Sequence, residues 1–251
     1  MKHNIVILGL RGIPSIKEGD DLGKLIFVTC KNQKIKLLEN DIIVIAHKIV
    51  SKSEGRVFDY SNINASPFAK RIAKKSRKEA PHVEAILSQT KNIVRMQGHH
   101  LITETRHGFI CANSGVDKSN LKDESTVCLL PKDPDCSAKT IRNKIKSLAG
   151  VNVAIIISDT FGRPWRIGQV NMAIGIAGMK PLIDYRGSKD MYNRKLRYTL
   201  IAIADELASA AELVMKKSER VPVAILRGVD YATGRGSVKD LIRPREIDLF
   251  R

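Results

Sequence analysis

The chain has 251 residues, of which 43% are hydrophobic, so it is long enough to bury a core that needs no disulfide framework. Aromatic residues make up only 5%, which predicts a mostly aliphatic core, and no apolar run reaches the roughly 18 residues of a membrane span. The formal net charge of +17 fits a nucleic-acid partner, an enzyme with anionic substrates, or simply a solvated basic surface. We expect a cytoplasmic protein, because the four cysteines lack the spacing of a metal site or a disulfide scaffold.

Hydrophobic spacing predicts both strands and helices in the first half of the chain. After Asp41, residues 41–50 are nearly continuously apolar apart from His47 and Lys48, which is typical of a buried strand. Pro81 stands where a helix is expected to begin, because the first turn tolerates the missing N–H of proline. In chain order, the predicted elements are a strand over 5–10, a helix over 22–28 started by Asp20, the strand over 41–50, and helices over 66–78 and 81–89.

The second half predicts further strands and helices. Apolar positions give residues 200–214 the stripe of an amphipathic helix. The other predicted elements are strands over 93–96, 100–105 and 108–112, a helix over 139–148 capped by Ser137, a buried strand over 151–157, and a strand over 221–226. Because strands and helices do not alternate strictly, we predict an α+β fold of mixed sheets packed with helices. No linker is evident, so we expect one unit over residues 1–251, built from two intertwined α+β subdomains.

The strongest chemical signal lies at the end of the buried strand over 151–157. Asp159 and Thr160 follow it, and Arg163 and Arg166 come next. A carboxylate beside a hydroxyl offers the oxygen ligands that Mg²⁺ and Mn²⁺ prefer, and arginine can hold anionic oxygens through paired hydrogen bonds. We therefore predict a site for a divalent cation and an anionic group. The alternative is a strand and turn in which Asp159 is only a cap.

A second acidic candidate is Asp117, which follows Gly115 and precedes Asn120 by one helical turn if the chain coils there. Asp117 and Asp159 are predicted to share one cation or to flank two. An Asx-turn at Asp117 is the structural alternative. His107 lies just before this segment, and its role stays open between structure and site.

Other polar motifs are weaker. Lys52 follows the predicted strand over 41–50 and could contact a triphosphate, but the sequence contains no Gly-rich phosphate loop, so Lys52 taken alone is a surface lysine. His99 and His100 are neighbours on a predicted strand and point to opposite faces, so they cannot easily chelate one ion. No serine or cysteine has histidine and aspartate at supporting spacing, which disfavours nucleophilic catalysis.

Six blocks of sequence, taken together and in order, indicate a protein family that no single block would identify. They are Gly12-Ile13-Pro14 with residues 16–22, then residues 51–56, then His107-Gly108 with residues 112–120, then Leu130-Pro131 with residues 133–135, then residues 158–160 with 162–168, and finally residues 173–175 with Arg227-Gly228. Together, and in this order, they resemble the coenzyme F420-0:L-glutamate ligases (gamma-glutamyl ligases). The resemblance runs from about residue 8 to residue 240, which is nearly the whole chain.

The resemblance implies a GTP-dependent ligase that joins L-glutamate, through an amide bond, to an anionic coenzyme precursor, F420-0. The substrate carboxylate would be activated as an acyl phosphate, and the glutamate amine would attack it and release GDP and phosphate. Family members use two divalent ions, Mg²⁺ or Mn²⁺, together with K⁺. They form homodimers with the site near the subunit interface. All the substrates are anionic, so a positive field would assist their encounter.

The resemblance also assigns roles to residues of this chain. The nucleotide-binding residues would be Ile13, Pro14, Ser15, Ile16, His47, Lys48, Lys52, Asn120, Met215, Lys216 and Glu219. The metal ligands would be Asp117, Asp159 and Thr160, and the catalytic set would be Asp117, Asp159, Lys52 and Arg163. Such a set suits phosphoryl transfer, which depends on positioning and charge neutralisation rather than on a covalent nucleophile.

One segment departs from the family pattern. After the long helix, family members have Met-Gly and a small polar loop that ends in Gly-Ile/Val-Pro, whereas residues 215–222 of this chain read MKKSERVP. Lys216 cannot approach a phosphate as glycine can. Lys217 cannot ligate Mg²⁺ while protonated but could replace the ion's charge, and Glu219 could shift in as the ligand. An acceptor such as a folate therefore stays an open alternative, and the charge of +17 keeps open a non-catalytic nucleic-acid-binding paralogue.

Overall fold

A computed structural model of the protein describes residues 4–119, 121 and 123–250, and within them it combines helices with mixed sheets. The strands are β1 Val6–Gly9, β2 Ile42–Ala46, β3 Val57–Asp59, β4 Thr90–Gln97, β5 His100–Thr105, β6 Ile110–Ala112, β7 Thr126–Cys128, β8 Ala154–Arg163, β9 Arg166–Ala177, β10 Ile183–Asp184, β11 Leu200–Ile201 and β12 Val223–Arg227. The α-helices are α1 Leu22–Asn32, α2 His47–Ser53, α3 Pro67–Ser76, α4 Ala80–Gln89, α5 Pro134–Ala149 and α6 Ile203–Met215. Short 3-10 turns lie at Asn113–Gly115, Val238–Leu241 and Arg245–Ile247. The predicted α+β class is confirmed.

A mixed five-stranded sheet in the order β1-β12-β2-β8-β9 is the centre of the fold. Its pairs are antiparallel except for β2 and β8, which run parallel with Ala46 opposite Ser158. The first four residues of β2 are all buried, which requires cover on both faces of the sheet. Helices α5 and α6 pack against it. The carboxyl ends of β2 and β8 therefore meet at one edge of a rigid, buried sheet.

Buried apolar side chains form two clusters. The larger surrounds the five-stranded sheet, and the smaller lies among α3, α4, β5 and β7. The chain passes from the first cluster to the second after Val50, returns at Phe109 and Cys111, and crosses again before Leu130. We keep the single unit of two intertwined subdomains as a prediction. None of the helices in the described part of the chain is both long and apolar enough to cross a membrane.

Two helix starts differ from the sequence prediction. Helix α1 is capped by Asp21, whose carboxylate accepts a hydrogen bond from the Lys24 amide, whereas the predicted cap Asp20 accepts from the Lys17 amide in the preceding loop. Helix α5 begins at Pro134 and is capped by Asp133, so the predicted cap Ser137 lies inside its first turns. In both cases more than one residue could serve as a cap, and the composition of the segment did not distinguish them.

Three strand boundaries also differ. The predicted strand over 41–50 ends at Ala46, and His47 begins α2, because the chain turns where polar residues interrupt the apolar run. Strand β8 does not end near Asp159 but continues to Arg163 as one arm of a hairpin with β9. Leu200 and Ile201 form the short strand β11, so α6 begins only at Ile203.

Candidate functional site

The junction between β2 and α2 is the centre of the candidate site. Ala46 has an extended backbone and is followed directly by His47 and Lys48, the first two residues of α2. Because β2 runs parallel to β8, this junction lies beside the Ser158–Asp159 stretch of β8. Side chains at the carboxyl ends of neighbouring parallel strands share one crevice. The fold therefore brings residues 47–48 and 158–159 together, although more than a hundred residues separate them in sequence.

Asp159 faces His47 across this junction. The two side chains approach to 3.2 Å between Asp159 Oδ1 and His47 Nε2, and the same oxygen accepts a hydrogen bond of 2.7 Å from the Thr160 amide. His47 is only 3% exposed, and its Nε2 lacks a well-aligned hydrogen bond within the described residues. Ser158 Oγ is also buried without a partner there. Buried polar atoms normally have partners, so these two mark a place for a further group.

Asp117 lies on the other side of the His47–Lys48 pair, next to Lys48. Its Oδ2 is 2.6 Å from Lys48 Nζ, and its carboxylate also accepts hydrogen bonds from the amide and the hydroxyl of Ser119. Burial opposes ionisation of this carboxylate, but Lys48 and Ser119 together hold the pKa of Asp117 below its ordinary value. Backbone hydrogen bonds with Cys128 anchor the segment. The side chain is therefore a fixed anion at neutral pH.

Two buried cysteines show how the acidic groups surround the junction. Burial raises the pKa of Cys111 to about 12, and the charge of Asp159 adds to that rise, so the β6 thiol lies within electrostatic reach of β8. Burial raises the pKa of Cys128 to about 11, and the charges of Lys48 and Lys52 oppose that rise. The segment from β6 to β7 thus runs from the Asp159 side of the site to the Asp117 side. Lys52, one helical turn after Lys48 and partly buried, belongs to the same surroundings.

The two loops with predicted nucleotide contacts border this junction and touch each other. The loop over 11–19 packs on the end of α2 through a hydrogen bond from the Gly19 amide to the Ser53 carbonyl. Arg11 reaches Glu219 of the second loop at 3.4 Å. In the first loop Ile16 is buried, Ile13 is partly buried, and Pro14 and Ser15 are exposed.

The second loop begins where α6 ends. The side chain of Met215 packs in the core, so it is not free to face a ligand. Lys216 takes a left-handed backbone with φ of 51°, and Arg220 does so with φ of 56°. Positive φ angles favour glycine, so Lys216 and Arg220 both adopt backbone conformations that are unusual for residues with a side chain.

Thr160 points away from Asp159, because successive side chains of a strand face opposite sides. It lies in a polar cluster that the sequence analysis did not assemble. Thr160 Oγ1 donates to Asn171 Oδ1 of β9 at 2.8 Å, and Asn171 Nδ2 donates to Glu212 Oε2 of α6 at 2.9 Å. Lys217 Nζ lies among the three side chains. Asn171 and Glu212 carried no motif signal, since only the pairing of β8 with β9 and the packing of α6 bring them to Thr160.

Other predicted residues lie elsewhere. Arg163 is at the tip of the β8–β9 hairpin, where its guanidinium donates to the Ile167 carbonyl, about 13 Å along the strand from Asp159. Asn120 is outside the described residues. Among residues 4–119, 121 and 123–250, no three histidine, cysteine, aspartate or glutamate side chains converge into a group that could hold a metal ion.

Several residues of the six blocks have structural partners. His107 Nε2 lies 3.0 Å from the Pro131 carbonyl. Asp135 accepts hydrogen bonds from the Ile176 amide and the Ser237 hydroxyl, which fastens the C-terminal segment to α5 and β9. These contacts give His107 and Asp135 roles in packing and in positioning neighbouring segments. They do not place those residues at the junction of β2 and α2.

A cavity of about 1080 Å³ opens along α5, and neither Asp117 nor Asp159 lines it. It reaches the amino end of β8 at Asn152 and Val153, about 20 Å along the strand from Asp159. Its basic lining residues are Arg106, Lys132, Lys139, Arg142, Arg235 and Lys239. Glu39, Asp133 and Asp135 also line the cavity, so its lining keeps a net positive charge but is of mixed sign.

Known proteins are similar to this chain over nearly its whole length. A sequence model described as F420-0:Gamma-glutamyl ligase matches residues 11–228. The coenzyme F420:L-glutamate ligase of Methanothermobacter thermautotrophicus is 45% identical over 250 residues, which cover 98% of this chain and 99% of the relative. The proteins of the same name from Methanocaldococcus jannaschii and Archaeoglobus fulgidus are 44% and 37% identical, over 100% and 98% of this chain and 98% and 96% of their own.

Proposed function

The chain belongs to the F420-0:gamma-glutamyl ligase family, and we propose that it forms an amide bond between L-glutamate and the carboxylate of coenzyme F420-0 with GTP as the energy source. In this proposal the acceptor carboxylate first attacks the γ-phosphate of GTP, which forms an acyl phosphate and releases GDP. The glutamate amine then attacks the acyl carbon and releases inorganic phosphate. Relatives that share 36–45% of their residues with this chain are named for glutamate ligation, which supports the acceptor and donor classes.

The observation that carries the proposal is the arrangement of Asp117 and Asp159 on either side of the His47–Lys48 pair. Phosphoryl transfer needs fixed charges and positioning rather than a covalent nucleophile. Lys48 and Lys52 provide cationic groups that can bind phosphate oxygens, and the pKa of Asp117 is held low enough for a permanent negative charge. The two border loops, over 11–19 and 216–220, would hold the nucleotide against this junction.

A divalent cation, Mg²⁺ or Mn²⁺, fits the Asp117 and Asp159 side of the site. Mg²⁺ is usually held by one or two carboxylates together with substrate phosphates, so two aspartates are a sufficient protein contribution. His47 Nε2 and Ser158 Oγ, neither of which has a well-aligned hydrogen bond among the described residues, add donor atoms beside Asp159. When bound, the ion would neutralise phosphate charge. We also propose that K⁺ serves as a further cofactor and that the active form is a homodimer.

Each residue of the site then has its own proposed role. Asp117 and Asp159 would hold the cation. Lys48, which pairs with Asp117 at 2.6 Å, would turn from it to the phosphates when the ion binds, and Lys52 would bind the phosphate tail. Arg163, at the exposed hairpin tip, would contact the bound acceptor or glutamate rather than the cation, because Asp159 lies several strand residues away. All of these roles suit three anionic reactants, which the positive surface would attract.

Incubation of the purified protein with GTP, Mn²⁺, L-glutamate and F420-0 tests the proposal directly. We expect GDP and a product that is heavier by one glutamyl residue, both followed by mass spectrometry. Parallel reactions with ATP in place of GTP, and with a folate in place of F420-0, test the nucleotide and the acceptor. Folded protein that yields neither GDP nor the glutamyl product from F420-0 contradicts the proposal, and turnover with the folate alone would assign a different acceptor.

A further inference from the structure

Lys217 lies where a cation would be bound by oxygen ligands. Its Nζ is 2.7 Å from Thr160 Oγ1, 3.1 Å from Asn171 Oδ1 and 3.1 Å from Glu212 Oε2. An ammonium group has three donors and no acceptor; here it donates hydrogen bonds to Thr160 and Asn171 and forms an ion pair with Glu212. The cluster is also closed on itself, because Asn171 accepts from Thr160 and donates to Glu212. Three different elements, β8, β9 and α6, therefore supply the oxygens that surround one charge.

Two local features direct Lys217 into this position. Helix α6 ends at Met215, and the negative end of a helix dipole attracts a cation. Lys216 then has a backbone φ of 51°, and Lys217 follows it directly with its Nζ 2.7 Å from Thr160 Oγ1. Asn171 is only 4% exposed, and its Oδ1 accepts hydrogen bonds from both Thr160 and Lys217, which anchors the ammonium to a buried oxygen.

The Lys217 ammonium therefore occupies the place beside Thr160 that a second divalent ion would need. A divalent ion at the Thr160 oxygen would lie within about 5 Å of the Lys217 ammonium, and the two positive charges would repel each other. Asp159 is not part of this cluster, since its side chain faces His47 on the other side of β8. The two neighbouring residues of the strand thus serve different cationic sites.

We propose that the Lys217 ammonium takes the place of a second divalent cation in this protein, so that each chain binds one divalent ion rather than two. The inference rests on the proposed nucleotide-dependent function, and it concerns only the Thr160 side of the site. It explains why a lysine, which cannot ligate Mg²⁺, occupies a loop next to the triphosphate site. The tethered charge supplies electrostatic stabilisation to the same region without a free metal ion.

The test counts Mn²⁺ ions. Mn²⁺ is titrated into the folded protein with a non-hydrolysable GTP analogue, and bound ions per chain are measured by electron paramagnetic resonance. The wild type is expected to bind one ion. Lys217→Gln removes the ammonium and leaves an amide oxygen beside the three existing oxygens, so this variant is expected to bind a second ion. Lys217→Met, which removes the charge without adding a ligand, is expected to gain the same site with weaker affinity.

Lys91→Gln is the matched control. Lys91 is 60% exposed and lies 3.1 Å from Glu104, almost as Lys217 is 61% exposed and lies 3.1 Å from Glu212, but Lys91 is in β4, in the three-stranded sheet. The control is expected to bind one ion, as the wild type does. Two ions in the wild type, or one ion in a folded Lys217→Gln protein, would overturn the inference. A wild type that binds neither the analogue nor Mn²⁺ would instead contradict the proposed function itself.

Discussion

The ion pair between Arg227 and Asp41 is expected to contribute strongly to stability. Asp41 is 1% exposed, and both of its oxygens accept hydrogen bonds of 2.8 Å from the Arg227 guanidinium. The pair joins the start of β2 to the end of β12, so it holds the strand that delivers His47 to the site. Replacement of Arg227 by Met would leave a buried carboxylate without its counter-charge.

The cost follows from that burial. Loss of one partner of a buried ion pair costs roughly 3–5 kcal/mol, and the partial exposure of Arg227 places the expected cost of Arg227→Met near the lower value, about 3 kcal/mol. For a chain of this length, that cost lowers Tm by roughly 6–12 °C. The measurement is thermal or urea unfolding of the purified variant, followed by circular dichroism.

Arg186 provides a matched control. Its guanidinium also forms two hydrogen bonds to one carboxylate, that of Asp184, at 2.8 and 2.6 Å, but both residues are exposed. Solvent screens such a pair, so Arg186→Met is expected to leave Tm unchanged within error. If the two arginine variants lose equal stability, or if Arg227→Met unfolds like the wild type, then burial of Asp41 does not set the cost and the reasoning is wrong.

Three further predictions concern packing, acid stability and the site. Gly175→Ala would place a Cβ 2.5 Å from the backbone of the α5 N-terminus and is expected to cost about 1–3 kcal/mol in chemical unfolding, whereas Gly162→Ala meets nothing within 4 Å and is expected to be nearly neutral. Burial lowers the pKa of His82 to about 4, so the unfolding free energy should fall by about 1.4 kcal/mol per pH unit below pH 6.5 and level off near pH 4. Lys48→Met is expected to raise the pKa of Asp117, to move the acidic limb of the pH–activity profile to higher pH, and to lower kcat/KM at least about tenfold, or about 1.4 kcal/mol.

Each of these predictions has a clear contrary result. Equal stability of the two glycine variants would mean that the strand and helix can move apart freely. The His82 prediction depends on the sign of its shift: the folded protein keeps this side chain neutral while the unfolded chain takes up a proton, so acid favours unfolding. A His82→Gln protein should lose that slope, and an unchanged slope would contradict the assignment. A Lys48→Met enzyme with an unshifted pH profile would show that Lys48 does not control Asp117.

Much of the fold could be predicted from local patterns, because apolar periodicity reports burial directly. The buried strands β2 and β8 and the amphipathic helix α6 were found in this way, and the mixed α+β class follows from their order. The errors fall at boundaries. His47 and Lys48 belong to the helix after the strand, and the strand that carries Asp159 continues into a hairpin, because pairing with β9 outweighs the local turn residues.

The candidate site was predictable only in part. Asp117 and Asp159 have residue types and neighbours that suggest chemistry, and the resemblance to a family added His47, Lys48 and Lys52. The polar cluster around Lys217 could not be assembled from sequence, because Asn171 and Glu212 have no local signature and meet Thr160 only through tertiary packing. The contact between Arg11 and Glu219 has the same origin. Distances between remote segments are set by the sheet and not by spacing in the chain.

Ligase assays of Asp159→Asn and Asp117→Asn test the central claim most directly. Each variant keeps the shape of its side chain but loses the charge, so folding can be verified before GDP release and glutamyl product are measured with GTP, Mn²⁺, glutamate and F420-0. We expect both folded variants to lose at least about 100-fold in kcat, or about 2.7 kcal/mol. If either variant turns over GTP and forms the product at the rate of the wild type, its carboxylate does not hold the cation and the proposed site is wrong.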